Sequence, residues 1–182
     1  MIQPDMLLDH ARRLAGSDPA RTADVDFRRG VSAAYYAVFH DLTDLAARHL
    51  IGSSSEVERN KIRRTWSHGE FATAAAVVVE RARNVAAEPG TPLSKEARAG
   101  GPLVDIAAAD TDLVAALRLF GELQEQRHLA DYDHDALFGK VTLLIACEDA
   151  ERARSLLGTA SAASREALFT LLTLRRSDFK ER

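Results

Sequence analysis

The sequence is poor in the residues that cross-link a chain or anchor it in a membrane. It has one cysteine, Cys147, so no disulfide forms within one chain and a reducing compartment is expected. Because Cys147 lies in an apolar run, it is predicted to be a buried thiol. No run approaches the roughly 20 apolar residues of a membrane span, and the start lacks the apolar stretch of a secretory leader. These absences predict a cytoplasmic protein without membrane association.

Signals for common enzyme chemistries are also missing. With 24 basic and 27 acidic residues the net charge is −3, so the chain lacks the basic excess of a general nucleic-acid binder. RNA would therefore need a local basic site. No glycine-rich phosphate loop, nucleophile elbow or metal-ligand spacing is present. We therefore predict no cofactor and no metal.

What is abundant favours helices. Apolar residues make up 46% of the chain and aromatic residues only 6%, while alanine and leucine recur throughout. The 182 residues fit one all-α domain over 1–182, with a core of about 5–157 and a C-terminal helix and charged tail over 161–182. Glycine and proline predict a long loop over 88–102, and 131–135 interrupts the later helices. The predicted helices are 4–15, 24–50, 56–65, 69–87, 104–129, 134–157 and 162–176.

Apolar stripes along these helices predict which faces are buried. The stripe of the second helix is Val31, Tyr35, Val38, Leu42 and Leu45; that of the fourth is Phe71, Ala75, Val78, Ala82 and Val85. The fifth helix has Leu113, Leu117, Phe120 and Leu123, and the sixth has Leu137, Val141, Leu144 and Ile145.

Two of these stripes end on polar residues. Phe120 and Leu123 predict a core position at 127, which holds Arg127; Leu137 and Val141 point back to 134, which holds His134. Charged groups are seldom buried unless they are paired or used. One interpretation is that Arg127 reaches Asp131 or Asp133 while His134 caps a helix. The other is that the pair carries chemistry.

Two segments resemble the HEPN family of small helical proteins. FRRGVSAAYYAVFH at 27–40 is similar to the family's long early helix, with its Tyr-Tyr-Ala-x-Phe run. LQEQRHLADYDH at 123–134 fits an arginine followed, after four to six residues, by a histidine, here Arg127 and His134. The resemblance covers about residues 5–157. It implies an up-and-down bundle of four core helices with extra short helices.

The resemblance also implies an activity, that of a metal-independent endoribonuclease acting as a toxin or defence effector. Arg127 would hold the phosphate and His134 would transfer protons, leaving a 2′,3′-cyclic phosphate. One histidine does not easily serve both proton transfers, so a homodimer with a composite site is expected. An antitoxin or a nucleotidyltransferase is the expected protein partner.

Neighbouring residues have two interpretations each. His128 either contacts phosphate or tunes His134, or it faces solvent. Asp131 either orients a histidine or pairs with Arg127, and Tyr132 either binds a base or packs. Arg28 and Arg29 favour a solvated face, with an RNA-facing rim as the alternative.

The sequence also fits a second function. The Ala-Asp-Tyr-Asp segment at 130–133 and the acidic balance of charge also suit a non-catalytic HEPN module. Such a module would bind RNA, a nucleotide or a protein partner.

Overall fold

The computed structural model describes residues 3–16, 24–52, 55–86 and 94–178. Within these ranges the chain is all-α, with nine helices and no strand, which confirms the predicted fold class. None of these helices is both long enough and apolar enough to cross a membrane. The helices are α1 (Pro4–Gly16), α2 (Asp24–Ile51), α3 (Glu56–Arg63), α4 (His68–Ala86), α5 (Lys95–Ala99), α6 (Gly101–Ala108), α7 (Thr111–Tyr132), α8 (Lys140–Thr159) and α9 (Ala162–Asp178).

The chain divides into two compact units. The first comprises Met1–Leu42 and Leu119–Ser155, and the second comprises Thr43–Arg118 and Leu156–Arg182. Helices α2, α7 and α8 each contribute to both units. A single domain over 1–182 therefore stays a prediction, and each unit is described by itself.

The core of the first unit is built on the predicted faces of α2 and α7. Tyr35, Phe120 and Leu123 are fully buried, and the rings of Tyr35 and Phe120 stack with centroids 5.5 Å apart. Burial of such large rings removes much apolar surface from water and so stabilises this unit. α8 adds small and aliphatic side chains, including Cys147, whose pKa is raised by burial. The thiol is therefore buried, as predicted.

The sixth predicted helix was wrong at its start and on its buried face. It begins at Lys140 rather than at 134, and Leu137 and Val141 are 91% and 70% exposed. The Asp133 carboxylate accepts hydrogen bonds from the N–H groups of Asp135 and Ala136, forming a turn that competes with helix formation. Leu144 and Ile145 are also exposed. The buried face of α8 is instead Leu143, Ala146, Cys147, Ala150 and Ala153.

Gly30 marks a close approach between α2 and α8 in this unit. A Cβ built on Gly30 would lie 2.6 Å from Leu143 Cδ1, and Leu143 is itself fully buried. Glycine costs a helix interior about 1 kcal/mol relative to alanine, so its presence here is explained by the lack of space for a methyl group.

Two glycine substitutions test this explanation. We expect Gly30→Ala to lower the free energy of unfolding by about 1–2 kcal/mol, since overpacking outweighs the gain in helix propensity. Gly121→Ala in α7 is the matched control, because a Cβ there meets nothing within 4 Å. That variant should raise the free energy of unfolding by about 0.5–1 kcal/mol. Urea titrations of both variants give the values, and equal stabilisation by the two would contradict the close approach.

The second unit packs α4, α5, α6 and α9 together. Phe71, Ala75 and Val78 of α4 are buried as predicted, whereas Val85 is 71% exposed. The Trp66 ring packs against that of Phe71, with centroids 5.7 Å apart. The predicted face of α4 is therefore confirmed along its first three members and wrong at its end.

The loop predicted over 88–102 was wrong in its second half, which forms α5 and the start of α6. The Ser94 hydroxyl caps α5 by accepting a hydrogen bond from the N–H of Ala97. The N–H and the hydroxyl of Ser94 in turn donate to the Glu80 carboxylate. Pro102 lies in the first turn of α6, where its missing N–H leaves no helical bond unmade. The rest of the predicted loop, 88–93, lies outside the described residues.

The helix predicted over 104–129 is two helices separated at Asp110. The Asp110 carboxylate caps α7 by accepting a hydrogen bond from the N–H of Leu113. It also accepts one from the N–H of Ser161, the residue before α9. Burial raises the pKa of Asp110, but these hydrogen bonds outweigh it and hold the pKa below its ordinary value. A capping aspartate therefore starts a new helix where the apolar pattern runs on without a break.

Candidate functional site

Arg127 lies near the C-terminal end of α7, at the margin of the first unit's core. It continues the stripe of Phe120 and Leu123, as predicted, but its side chain keeps 21% exposure. Its Nε is 2.7 Å from Asp131 Oδ2, an ion pair in which the N–H is not aligned on the oxygen. Its Nη2 donates to the Tyr36 hydroxyl at 3.3 Å. The guanidinium is thus held from two sides while part of it reaches solvent.

Asp131 connects this arginine to a second residue of α2. Its Oδ1 accepts a hydrogen bond from the Ser32 hydroxyl at 2.8 Å, while its other oxygen faces Arg127. Ser32 and Tyr36 are four residues apart on α2, and Arg127 and Asp131 are four apart on α7, so each pair shares a helix face. The four side chains form one polar network between the two helices.

Arg127 stays positively charged in this network. Burial lowers the pKa of the guanidinium, but Tyr36, Asp131 and Tyr132 together raise it above its ordinary value. The same positive charge partly offsets the effect of burial, which raises the pKa of Tyr35. Arg127 is therefore a fixed cation at every physiological pH.

Aromatic rings flank the guanidinium. Its central carbon lies 5.8 Å from the centre of the Tyr36 ring and 5.6 Å from that of Tyr132. The His128 ring is 4.9 Å from Tyr132, which is itself 62% exposed. Cations are attracted to ring faces, so these contacts help to hold Arg127. They also leave an exposed imidazole–phenol pair beside it.

His134 lies beyond the end of α7, in the turn made by Asp133. Its side chain is exposed, and the turn's backbone is held on both sides of it by the Asp133 carboxylate and by Arg28. Among the hydrogen bonds, ion pairs and ring contacts of the described residues, those of the Arg127 guanidinium go to Asp131, Tyr36 and Tyr132 and not to the His134 imidazole. The premise that placed position 134 on a buried face was wrong, because Leu137 and Val141 face solvent.

The solvated face that the sequence favours for Arg28 is wrong. Its side chain is only 16% exposed. It donates hydrogen bonds to the carbonyl of Ala130 in the last turn of α7 and to that of Asp133, which follows the helix. A signal was available: Arg28, Ser32 and Tyr36 follow one another at steps of four along α2. This polar stripe beside the apolar one marks the face that meets the end of α7.

The electrostatics of the site are mixed. Asp131 pairs with Arg127, so an anionic ligand must compete with the carboxylate that faces the guanidinium. No group of three or more potential metal ligands occurs among the residues with described positions. The arrangement offers one guanidinium for an anion, the exposed imidazoles of His128 and His134 for proton exchange and the exposed Tyr132 ring for a planar group.

No family model matches the chain, and no curated protein or solved structure matches it either.

Proposed function

We propose that the chain is a metal-independent endoribonuclease of the HEPN type, acting in the cytoplasm as a toxin or defence effector. The observation that supports this proposal is the way in which the backbone and neighbouring side chains hold Arg127 and His134. A fixed, partly exposed guanidinium at Arg127 is followed, seven residues later, by an exposed imidazole on a backbone turn that is held on both sides. A guanidinium stabilises a phosphate, and an exposed imidazole exchanges protons with solvent.

The proposed reaction uses the nucleophile that RNA itself carries. The 2′-oxygen attacks the adjacent phosphorus as His134 removes its proton, and the bond from phosphorus to the 5′-oxygen breaks. The products are a 2′,3′-cyclic phosphate and a 5′-hydroxyl that has gained a proton. Arg127 stabilises the negative charge on the non-bridging oxygens. His128 contacts a neighbouring phosphate, and Tyr132 stacks on a base, since both side chains are exposed beside the guanidinium.

A homodimer is part of this proposal, because a second imidazole is needed to protonate the leaving oxygen. The start of α8 supports it: Val141, Leu144 and Ile145 lie on one helix face and are 41–70% exposed. Leu137, which precedes the helix, is 91% exposed. Clustered exposed apolar side chains are typical of protein–protein contacts. The same surface on a second copy would cover these side chains and bring the two sites together.

Val141→Glu tests the dimer. A carboxylate buried in an apolar interface is costly, so we expect this variant to sediment as a monomer and to lose most RNA cleavage. Val57→Glu is the matched control, since Val57 of α3 is 65% exposed. It should leave the sedimentation coefficient unchanged. A wild-type protein that is monomeric at concentrations where it cleaves RNA would exclude the composite site.

The activity itself is tested with the wild-type protein. A fluorescent single-stranded RNA should be cleaved in excess EDTA, while the same oligonucleotide with 2′-O-methyl groups should stay intact. The fragments should carry 5′-hydroxyl ends, which polynucleotide kinase labels without prior phosphatase treatment. Cleavage of both substrates at equal rates, or of neither, would refute the proposal.

A second candidate is a non-catalytic HEPN module that binds RNA, a nucleotide or a protein partner such as an antitoxin or a nucleotidyltransferase. The pairing of Arg127 with Asp131 favours it, because the carboxylate already compensates the cation. Wild-type protein that leaves RNA intact but binds it, with binding lost in Arg127→Ala, would support this module over the nuclease.

A further inference from the structure

The guanidinium of Arg28 is bound almost entirely to backbone. Its Nη1 donates at 2.7 Å to the Asp133 carbonyl and at 3.1 Å to that of Ala130, with a longer contact to Leu129. Its Nη2 donates to the carbonyl of Ala136. One side chain of α2 therefore bonds both the last turn of α7 and the turn that follows it.

Two of these carbonyls, those of Leu129 and Ala130, are among those that helix geometry leaves without a partner inside the helix, although the Leu129 carbonyl also accepts the N–H of Asp133 at 3.0 Å. The last four carbonyls of any α-helix have no N–H within the helix to accept, and Leu129 and Ala130 belong to that last turn. The planar fork of arginine presents several N–H groups at once, whereas the ammonium of lysine is a compact point donor. Arg28 thus caps α7 and holds the next turn in one step.

Asp24 completes the clamp one turn earlier on α2. Its carboxylate accepts the Nε–H of Arg28 and, at 3.0 Å, the backbone N–H of Phe138. The hydrogen bond from Arg28, followed by that from Phe138, holds the pKa of Asp24 below its ordinary value. The Phe138 ring also lies 4.9 Å from the Arg28 guanidinium. Asp24 and Arg28 together, here called the α2 clamp, bind the segment 133–138 at both ends.

We propose that the α2 clamp is a positioning device for His134. This rests on the proposed nuclease function. The clamp fixes the backbone that carries the imidazole relative to the end of α7, where Arg127 lies. Proton transfer is sensitive to displacements of about 1 Å, so the clamp sets the rate of the chemical step. Phosphate binding at Arg127 depends on Tyr36 and Asp131 instead, so affinity for RNA should not depend on the clamp.

The clamp is separable from the fold of the unit. The core faces of α2 and α7 meet at Tyr35, Phe120 and Leu123, whereas the hydrogen bonds of the clamp go to the end of α7 and to the segment 133–138. The bonds from Arg28 to the carbonyls of Ala130, Asp133 and Ala136 are only part-buried, and the held segment is exposed at His134, Asp135 and Leu137. Water can therefore reach these carbonyls once the turn loosens. Arg28→Gln should therefore loosen the turn and leave the helices packed.

Amide hydrogen exchange tests the positioning without any assay of activity. We expect the amide protons of Ala136 and Phe138 to exchange at least tenfold faster in Arg28→Gln and Asp24→Asn. Arg28→Lys should behave similarly, because one ammonium does not replace the fork. The amide of Leu123 should keep its wild-type exchange rate, and the control Arg29→Gln, at the exposed neighbour, should change nothing. Unchanged exchange at Ala136 and Phe138 would overturn the clamp.

Kinetics then test its purpose. In Arg28→Gln we expect kcat to fall at least tenfold while KM for the RNA, and Kd for its 2′-O-methyl analogue, change less than twofold. A loosened turn with unchanged kcat would refute the positioning role. A different result would be wild-type protein in which the amides of Ala136 and Phe138 are protected but which cleaves no RNA. That result would refute the nuclease proposal and the catalytic role of the clamp, but not the contacts of the clamp.

Discussion

RNA cleavage should fall at least about a hundredfold in Arg127→Ala and in His134→Ala, each for a different reason. Without Arg127, negative charge on the phosphate oxygens loses its fixed donor, and the loss of one such donor costs about 10²–10³ in kcat. Without His134, no positioned base takes the 2′-proton, a contribution of about 10²–10⁴. Single-turnover cleavage of a fluorescent RNA measures both effects.

Matched controls separate these losses from general damage. Arg152→Ala and His10→Ala remove the same side chains at exposed positions of the same unit and should cleave at wild-type rates. Arg127→Lys keeps the charge but loses bidentate geometry, so we expect an intermediate rate. Equal residual rates in Arg127→Ala, His134→Ala and the wild type would remove both residues from the mechanism.

The position of Arg127 was accessible from the sequence because helical period is a reliable guide inside a long helix. α7 runs without a break from Thr111 to Tyr132, so the spacing from Phe120 and Leu123 to Arg127 holds along the whole stretch. Tertiary contacts then confirmed that this position borders the core, with Asp131 and Tyr36 as its partners. The polar stripe of α2 that contains Tyr36 does not by itself indicate that Arg127 is the partner of its hydroxyl.

The position of His134 illustrates why the same argument fails at a helix end. The spacing from Leu137 and Val141 assumed a helix that had already begun, whereas α8 begins at Lys140. What prevents an earlier start is the Asp133 turn together with Arg28, which is about a hundred residues away in the chain. Local periodicity marks Arg28 as part of a polar stripe on α2, but it does not show which distant segment that stripe meets. Exposed apolar residues at the start of a helix therefore mimic a core stripe.

Glycine and proline misled the prediction in the second unit for a related reason. Their density over 88–102 suggested a continuous loop, but Gly101, with φ of 48°, and Pro102 serve the junction from α5 to α6. Proline in a first turn and glycine at a junction are compatible with helices on either side. The number of glycines and prolines in a segment indicates that a helix is interrupted there. Their order indicates how many residues the interruption takes.

The largest loss of stability should come from Phe120→Ala. Phe120 is fully buried and stacks on Tyr35, so its removal leaves a cavity between α2 and α7. Such truncations cost about 3–5 kcal/mol. Because Tyr35 precedes Tyr36, whose hydroxyl contacts Arg127, we also expect the variant to loosen the guanidinium. Urea unfolding followed by far-ultraviolet circular dichroism measures the free energy of unfolding.

Tyr132→Ala provides the matched control on the same helix. Tyr132 is 62% exposed, and substitutions at exposed positions usually change the free energy of unfolding by less than about 0.5 kcal/mol. Phe120→Leu, which keeps more of the volume, should cost less than half as much as Phe120→Ala. Equal losses in Phe120→Ala and Tyr132→Ala would mean that the α7 stripe does not form the core of this unit. The spacing that points from Phe120 to Arg127 would then lose its structural basis, because position 127 would no longer border buried side chains.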